Sequence, residues 1–236
     1  MMYKYNVNPK EIENILYKQL SNFWPDCFRF EIISKEIPVV LDKMYVILSS
    51  LSLIRCNNGK EVVFSPYDTV SWSVFLYYLS NELYKKKQLR EATVIYYLNK
   101  VMHSVEWFYA LDLPEHFFAE HPHNSVLGKA VYGDYFFCFH GTTVGANYKE
   151  DGSPVYPKLG NNVFMFANST ILGDCNIGNN VIIAANTYVK DMDIPDNSVV
   201  FSSQKMWGGV EVKQMGEEEI KKRTSGFWNW KANQNN

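Results

Sequence analysis

Between residues 159 and 200 an aliphatic or Met residue returns at every sixth position: Leu159, Met165, Ile171, Ile177, Ile183 and Val189. Four places after most of them stands a second series of small or β-branched character, Val163, Ser169, Cys175, Val181 and Thr187. Three hexads make one coil, and at that offset Leu159-Gly160-Asn161-Asn162-Val163 recurs as Ile177-Gly178-Asn179-Asn180-Val181. Ala167-Asn168 likewise returns as Ala185-Asn186. Helical burial needs a period near 3.6 and a half-buried strand needs strict alternation, so neither accounts for the pattern as well. Short strands that bury inward side chains by stacking coil upon coil do. Gly and Asn between the apolar positions suit corners, where the chain turns with positive φ or through side-chain to backbone bonds. The pattern predicts a triangular parallel β-helix; evenly spaced strands of a β-sandwich are the alternative. Ile194 and Val200 continue the series in a shifted frame, which places the loss of one residue near Asp193.

Before the repeat the periodicity is helical. Asn8-Pro9 supplies an N-cap and a first-turn proline, with Glu11 and Glu13 favouring a helix to about Phe23. A second helix is expected from Pro38 to about Ile54, ended by Asn57-Asn58-Gly59, and a short strand over residues 61–64. Val70, Trp72, Phe75, Leu76, Leu79 and Leu83 mark a third helix over about 68–87. Ala92, Ile95, Leu98, Val101, Val105 and Phe108 mark a fourth over about 89–111. The expected division is an α-helical N-terminal domain over 1–113, the solenoid over 114–206 and a C-terminal extension over 207–236. In that extension residues 216–223 read as a short charged helix. Phe227, Trp228 and Trp230 are too apolar for a free tail and are expected to cover an end of the β-helix or a neighbouring subunit. Residues 232–236 are expected to be disordered.

Composition narrows the function classes. A net charge of −2 over 236 residues gives no reason to expect nucleic acid or an anionic membrane as partner. The apolar stretch 38–54 is interrupted by Asp42 and Lys43 and is too short to span a bilayer comfortably. Tyr3-Lys4-Tyr5-Asn6 runs into polar sequence, so no signal peptide is expected. The four cysteines, Cys27, Cys56, Cys138 and Cys175, form no CxxC pair or disulfide framework, which fits a reducing cytoplasm. His121, His123 and His140 cluster at the start of the repeat, but no Cys or carboxylate falls at a spacing that would complete a zinc site, and no metal is expected.

Four stretches carry a family likeness: Glu120-His121 with Ser125-Val126-Leu127-Gly128; Gly141-Thr142-Thr143-Val144-Gly145; Tyr156-Pro157-Lys158-Leu159-Gly160; and residues 172–186. Together with the repeat they resemble the hexapeptide-repeat acyltransferases, in their serine acetyltransferase-like branch. The resemblance implies a left-handed parallel β-helix, assembled as a homotrimer that in turn can pair into a dimer of trimers. It also implies acetyl-CoA as acyl donor, held in the groove between adjacent subunits, and a small-molecule acceptor.

Transfer of an acetyl group from a thioester to a hydroxyl needs a base for the hydroxyl proton and donors for the tetrahedral oxyanion. The resemblance places the base at His121, preceded by Glu120 as its orienting or acceptor-binding partner. His140 lies one residue past a full coil from His121 and is a candidate to bind acceptor. The hexad frame breaks between Gly145 and Pro157, so the intervening residues leave as a loop, in which Lys149 is a candidate for a cofactor phosphate. Small residues at Ala167, Asn168, Ala185 and Asn186 are the expected track of the pantetheine arm, and Lys190 and Lys205 are candidates for the phosphates. Serine acetyltransferases carry Arg-His just before the Pro-Lys segment, and here Val155-Tyr156 stands there. Arginine is suited to hold a carboxylate, so its absence points away from an amino acid and toward a sugar hydroxyl, with Tyr156 as an acceptor contact. Serine O-acetylation is the first alternative and a non-catalytic trimeric scaffold the second.

Overall fold

The computed structural model describes residues 7–205 and 208–230. The readings on residues 3–6 and 232–236 lie outside these. The chain divides into two compact units. One holds the described residues up to 104 together with 108–110 and 226–230, and the other holds 105–107 and 111–225.

Four helices build the first unit: α1 Pro9–Phe23, α2 Phe30–Ser49, α3 Thr69–Lys85 and α4 Leu89–His103. The Asn8 side chain accepts from the Lys10 N–H as α1 begins, and Asp68 caps α3 in the same way. Helix α2 starts eight residues before the expected Pro38, which lies inside it. An interior proline costs roughly 3 kcal/mol. Burial of Ile33 and Ile37, at about 1.5–3 kcal/mol each, offsets that cost. Helix α4 stops at His103, earlier than its apolar pattern suggests, because Ser104 turns left-handed (φ 55°) and donates its N–H to Lys100. Phe108 lies past the helix and is exposed; Val101, within it, is exposed too, whereas Ala92, Ile95, Leu98 and Val105 are buried. The strand expected over 61–64 is reduced to one bridge, Asn57 to Val62. Arg29 clasps the fully buried Glu91 through Nε (2.8 Å) and Nη2 (3.1 Å), holding that carboxyl below its ordinary range. The apolar tail, expected on the β-helix or a neighbouring subunit, packs within this helical unit instead: Trp228 is buried and bridges Leu51, and Ser52 N donates to Phe227 O (2.8 Å).

The second unit is a left-handed parallel β-helix of about five turns. Its first face stacks Glu106–Trp107, Val126–Leu127, Thr143–Gly145, Thr170–Leu172 and Tyr188–Lys190. The second face stacks Phe117–Glu120, Phe136–Phe139, Val163–Met165, Val181–Ile183 and Ser198–Ser202, and Val210–Gln214 closes it antiparallel. The third stacks Val131–Tyr132, Lys158–Leu159 and Asn176–Ile177. Val163 pairs with Val181, Ile171 with Val189 and Leu159 with Ile177, each three hexads on, and every residue of both hexad series is buried. The last coil is one residue shorter, with Ile177 on Ile194 and Val181 on Ser198, so the slip near Asp193 is real. The solenoid begins with Val105, before the Leu113-Pro114 boundary read from sequence. Between the inward positions of the second face, Phe118, Phe137 and Phe164 are also buried; the rings of Phe137 and Phe164 stack at 4.8 Å.

Polar ladders hold the corner between third and second faces. Asp134 Oδ1 accepts from His116 N (2.8 Å), Asn161 Oδ1 from Asp134 N (2.8 Å), Asn179 Oδ1 from Asn161 N (2.9 Å), and Asp196 Oδ1 from Asn179 N (2.7 Å). Beside this rail Asn162, Asn180 and Asn197 share φ 56°, and each amide donates to the next at 2.9 Å. Asparagine tolerates the left-handed region that costs other L-residues roughly 1–2 kcal/mol, and its amide also links the rungs. Gly160 is needed because a Cβ there would meet the Gly178 backbone at 2.8 Å.

At the first rung His116 Nδ1 lies 2.8 Å from Asp134 Oδ2, and its ring stacks on Tyr135. Burial pushes the Asp134 carboxyl up, but hydrogen bonds from the His116 ring and backbone outweigh it and hold the group below the usual carboxylate range. A depressed folded pKa contributes stability above the unfolded value and loses it as pH falls through the folded one. Asp134→Asn is therefore expected to unfold more readily at pH 7, by no more than about 1 kcal/mol because the carboxylate is partly exposed. The gap should close below about pH 4; denaturation midpoints across pH check this.

Candidate active site

The two largest departures from the three-hexad step lie in the early coils, and candidate residues stand at both. The first is the corner from second to first face. Ala119 pairs with Cys138 and Val126 with Thr143, so residues 120–125 span a corner that 139–142 cover one coil later. Two extra residues make the corner bulge. His123 N donates to His121 O (2.8 Å), Ser125 N and Oγ donate to Pro122 O (3.1 and 2.6 Å), and Gly141 N anchors the bulge through His123 O (2.8 Å). His121 and Asn124 take left-handed conformations (φ 49° and 58°) to complete it.

This geometry pushes the His121 side chain outward, 68% exposed, while Glu120 ends the preceding strand with its side chain only 10% exposed. His121 Nε2 lies 3.7 Å from Glu120 Oε1. That separation exceeds a good hydrogen bond.

The register then stacks His140, Ala167, Ala185 and Ser202 along this edge, with His123 in line with His140 through the bond from Gly141 N, and His121 carried outside the column by the two extra residues. Asn168 N donates to His140 O, Asn186 N to Ala167 O (both 2.9 Å), and Ser202 Oγ to Asn186 O (2.8 Å). Asn168 and Asn186, with φ 59° and 58°, bond to each other through their amides at 3.3 Å. The structure thus aligns five of the sequence-derived candidates, His140 and the two Ala-Asn pairs, and sets His121 on the bulge at the head of that edge. The column narrows from imidazoles to methyl groups. The carbonyls of His140 and Ala167 each accept one bond from the next rung.

The second departure lies between first and third faces. Thr143 pairs with Thr170, nine residues beyond the regular step. The excess forms a hairpin in which Asn147–Tyr148 pairs antiparallel with Pro154–Val155. Asp151 accepts from Ser153 N and Oγ at its tip, and these bonds lower the carboxyl pKa. Asn147 Nδ2 ties the hairpin base to Asp191 Oδ2 (2.6 Å). Tyr156, at its return, lies on this edge and not beside His121. Lys190 ends a first-face strand next to the same edge, whereas Lys205 follows the last second-face strand, so the two lysines are not neighbours in the coil. Both are exposed.

Beneath the hairpin is a cavity of about 350 Å³, lined by Tyr156, Lys149, Lys129, Lys158 and Asp174 among others. Lys129 escaped the sequence reading because the inserted residues hide its coil register, whereas Lys158 and Asp174 entered only within the stretches of family likeness. Once the nine are discounted, Val131 falls beside Lys158, and Lys129 two residues earlier comes to the base of the hairpin. Among the described residues no three His, Cys, Asp or Glu side chains converge as metal ligands, and no helix is long and apolar enough to cross a membrane. The four cysteines are free, and burial raises the Cys138 thiol to about 12, so it serves as a core side chain.

The family described as bacterial transferase hexapeptide (six repeats) matches residues 156–191. A serine acetyltransferase of Staphylococcus epidermidis is 30% identical over 155 residues, covering 65% of this chain and 67% of that protein. Its counterpart from Staphylococcus xylosus is 30% identical over 129 residues, covering 54% of this chain and 59% of the relative. The chain thus spans about three fifths to two thirds of the length of these curated relatives. A solved serine acetyltransferase in complex with CoA matches the fold with a TM-score of 0.66 at 16% identity, over 87% of this chain and 84% of that one. With its hexad register and a relative matched over two thirds of that relative's length, the chain belongs to the hexapeptide-repeat acyltransferases, in the serine acetyltransferase-like branch.

Proposed function

We propose that the protein is an acetyl-CoA-dependent O-acetyltransferase and that its acceptor is the hydroxyl of serine. The observation that carries the reading is the bulged corner, which presents an exposed imidazole beside a buried carboxylate at the head of a column of small residues. His121 takes the acceptor hydroxyl proton as its oxygen attacks the thioester carbonyl. The tetrahedral intermediate collapses with loss of the CoA thiolate, which recovers the proton from the imidazolium. Glu120 stabilises the imidazolium in between. A positioned base of this kind contributes roughly 10²- to 10⁴-fold. Ala167 and Ala185 leave room for an extended pantetheine arm, and Lys205 lies near the far end of the same edge.

His121 and Tyr156 occupy different edges of one chain, so a site that uses both draws them from two copies. This supports a homotrimer with donor and acceptor in the groove between copies. A dimer of trimers and a cytoplasmic setting complete the reading.

Serine is favoured over a sugar by the names of the relatives. The sugar expectation rests on the missing arginine, and the lysines beneath the hairpin supply other cations near that place.

His121→Asn is the informative variant, because Asn accepts the left-handed corner while removing the base. Thiol release from acetyl-CoA should depend on serine in the wild type. In the variant kcat should fall roughly 10²- to 10⁴-fold with thermal stability retained. Undiminished turnover would place the base elsewhere. Release with sugars and not with serine would restore the sugar reading, and absence of CoA binding by calorimetry would favour a scaffold.

A further inference from the structure

The cavity beneath the hairpin is lined by three lysines, Lys129, Lys149 and Lys158, and by one carboxylate, Asp174, while Asp193 also acts on Lys158 from outside the lining. Like charges on one concave wall repel each other in the empty site and favour an anion within it. Lys129 Nζ stands 4.8 Å from the centre of the Tyr156 ring, whose π face holds the cation at the wall without neutralising it. Lys129 follows Gly128 at the end of a first-face rung, so its backbone is fixed by the coil, as shown by the 2.7 Å bond from Gly128 N to Val144 O. Lys149 instead rides on the hairpin, and Lys158 opens a third-face strand. Val131, Pro154 and Pro157 supply apolar surface around these lysines, whose side chains stand at the solvent-exposed mouth.

We infer that this cavity is an anion subsite for a substrate carboxylate or phosphate, with Lys129 as its principal contact. The inference deepens the proposed acetyl transfer and rests on it for the identity of the substrate. Val155 and Tyr156 provide no cation where the resembled enzymes carry arginine. The charge is delivered instead from the rung beneath, with Tyr156 as its support. The anion belongs either to the acceptor, as the serine carboxylate, or to the donor, as a CoA phosphate.

Steady-state kinetics on the full chain separate these sources. Lys129→Gln should raise KM for one substrate roughly tenfold or more, the scale of one charge-assisted hydrogen bond, with kcat within about twofold. A rise for serine that disappears with serine amide assigns the carboxylate. A rise for acetyl-CoA that disappears with acetyl-dephospho-CoA assigns the 3′-phosphate, and a rise that persists there assigns the pyrophosphate. Lys129→Arg should recover most of the loss. Unchanged KM values for both substrates in a folded Lys129→Gln protein would overturn the subsite. If the wild type transfers no acetyl group, calorimetry with inorganic phosphate decides separately. Binding at least tenfold weaker in Lys129→Gln keeps the anion site while the acetyl-transfer reading falls, and equal or absent binding removes the site.

Discussion

Each coil of the solenoid finds its partner one step of three hexads away, and nearly everything else in this unit depends on that step. A slip of one residue would turn Met165 and Ile183 outward and bring Phe164 and Ile182 in, because neighbouring strand residues face opposite ways. Each inward aliphatic side chain contributes about 1.5–3 kcal/mol by burial, so several rungs lock the register far more firmly than any one corner does. The asparagine ladders add direction to this. They bond each corner to the next at 2.9 Å and leave little freedom for a rung to rotate.

A structure so repetitive can place chemistry only where it departs from its own rule. Two residues are added at the corner that carries His121, and nine where the hairpin emerges. Both additions sit on edges, where extra chain can leave without disturbing the inward columns. The first turns an imidazole outward beside a carboxylate that remains largely buried. The second raises a wall over Lys129 and places Tyr156 against it. Regular coils between and beyond them act as a rigid rule that fixes the distance from imidazole to small-residue track.

The hexad series made the solenoid legible because one physical requirement, an inward side chain per strand, repeats without interruption from Leu159 to Val189. The one-residue loss near Asp193 was visible for the same reason. Helix ends were less so. The start of α2 hides behind Pro38, a residue that usually marks a beginning, and the end of α4 depends on a left-handed Ser104 that periodicity does not announce. His140 lies one residue past a full coil from His121, but the bulge that puts His123 in line with it was not visible in that count. Glu120 beside His121 owed its role to family likeness, and the structure adds only their 3.7 Å separation. Lys129 was illegible because the hairpin breaks the count between it and Lys158. Phe227, Trp228 and Trp230 read as an apolar tail that must be covered, but no local signal told that Trp228 bridges Leu51 and Phe227 accepts from Ser52.

The central claim is that the register delivers His121 to a thioester lying along the Ala167 and Ala185 edge. A crystal structure of the protein with CoA tests it most directly. The account predicts the CoA sulfur within about 4 Å of His121 or one acyl group away from it, with the pantetheine arm running past Ala167 and Ala185. CoA bound along another edge, or an ordered sulfur far from every copy of His121, would contradict it.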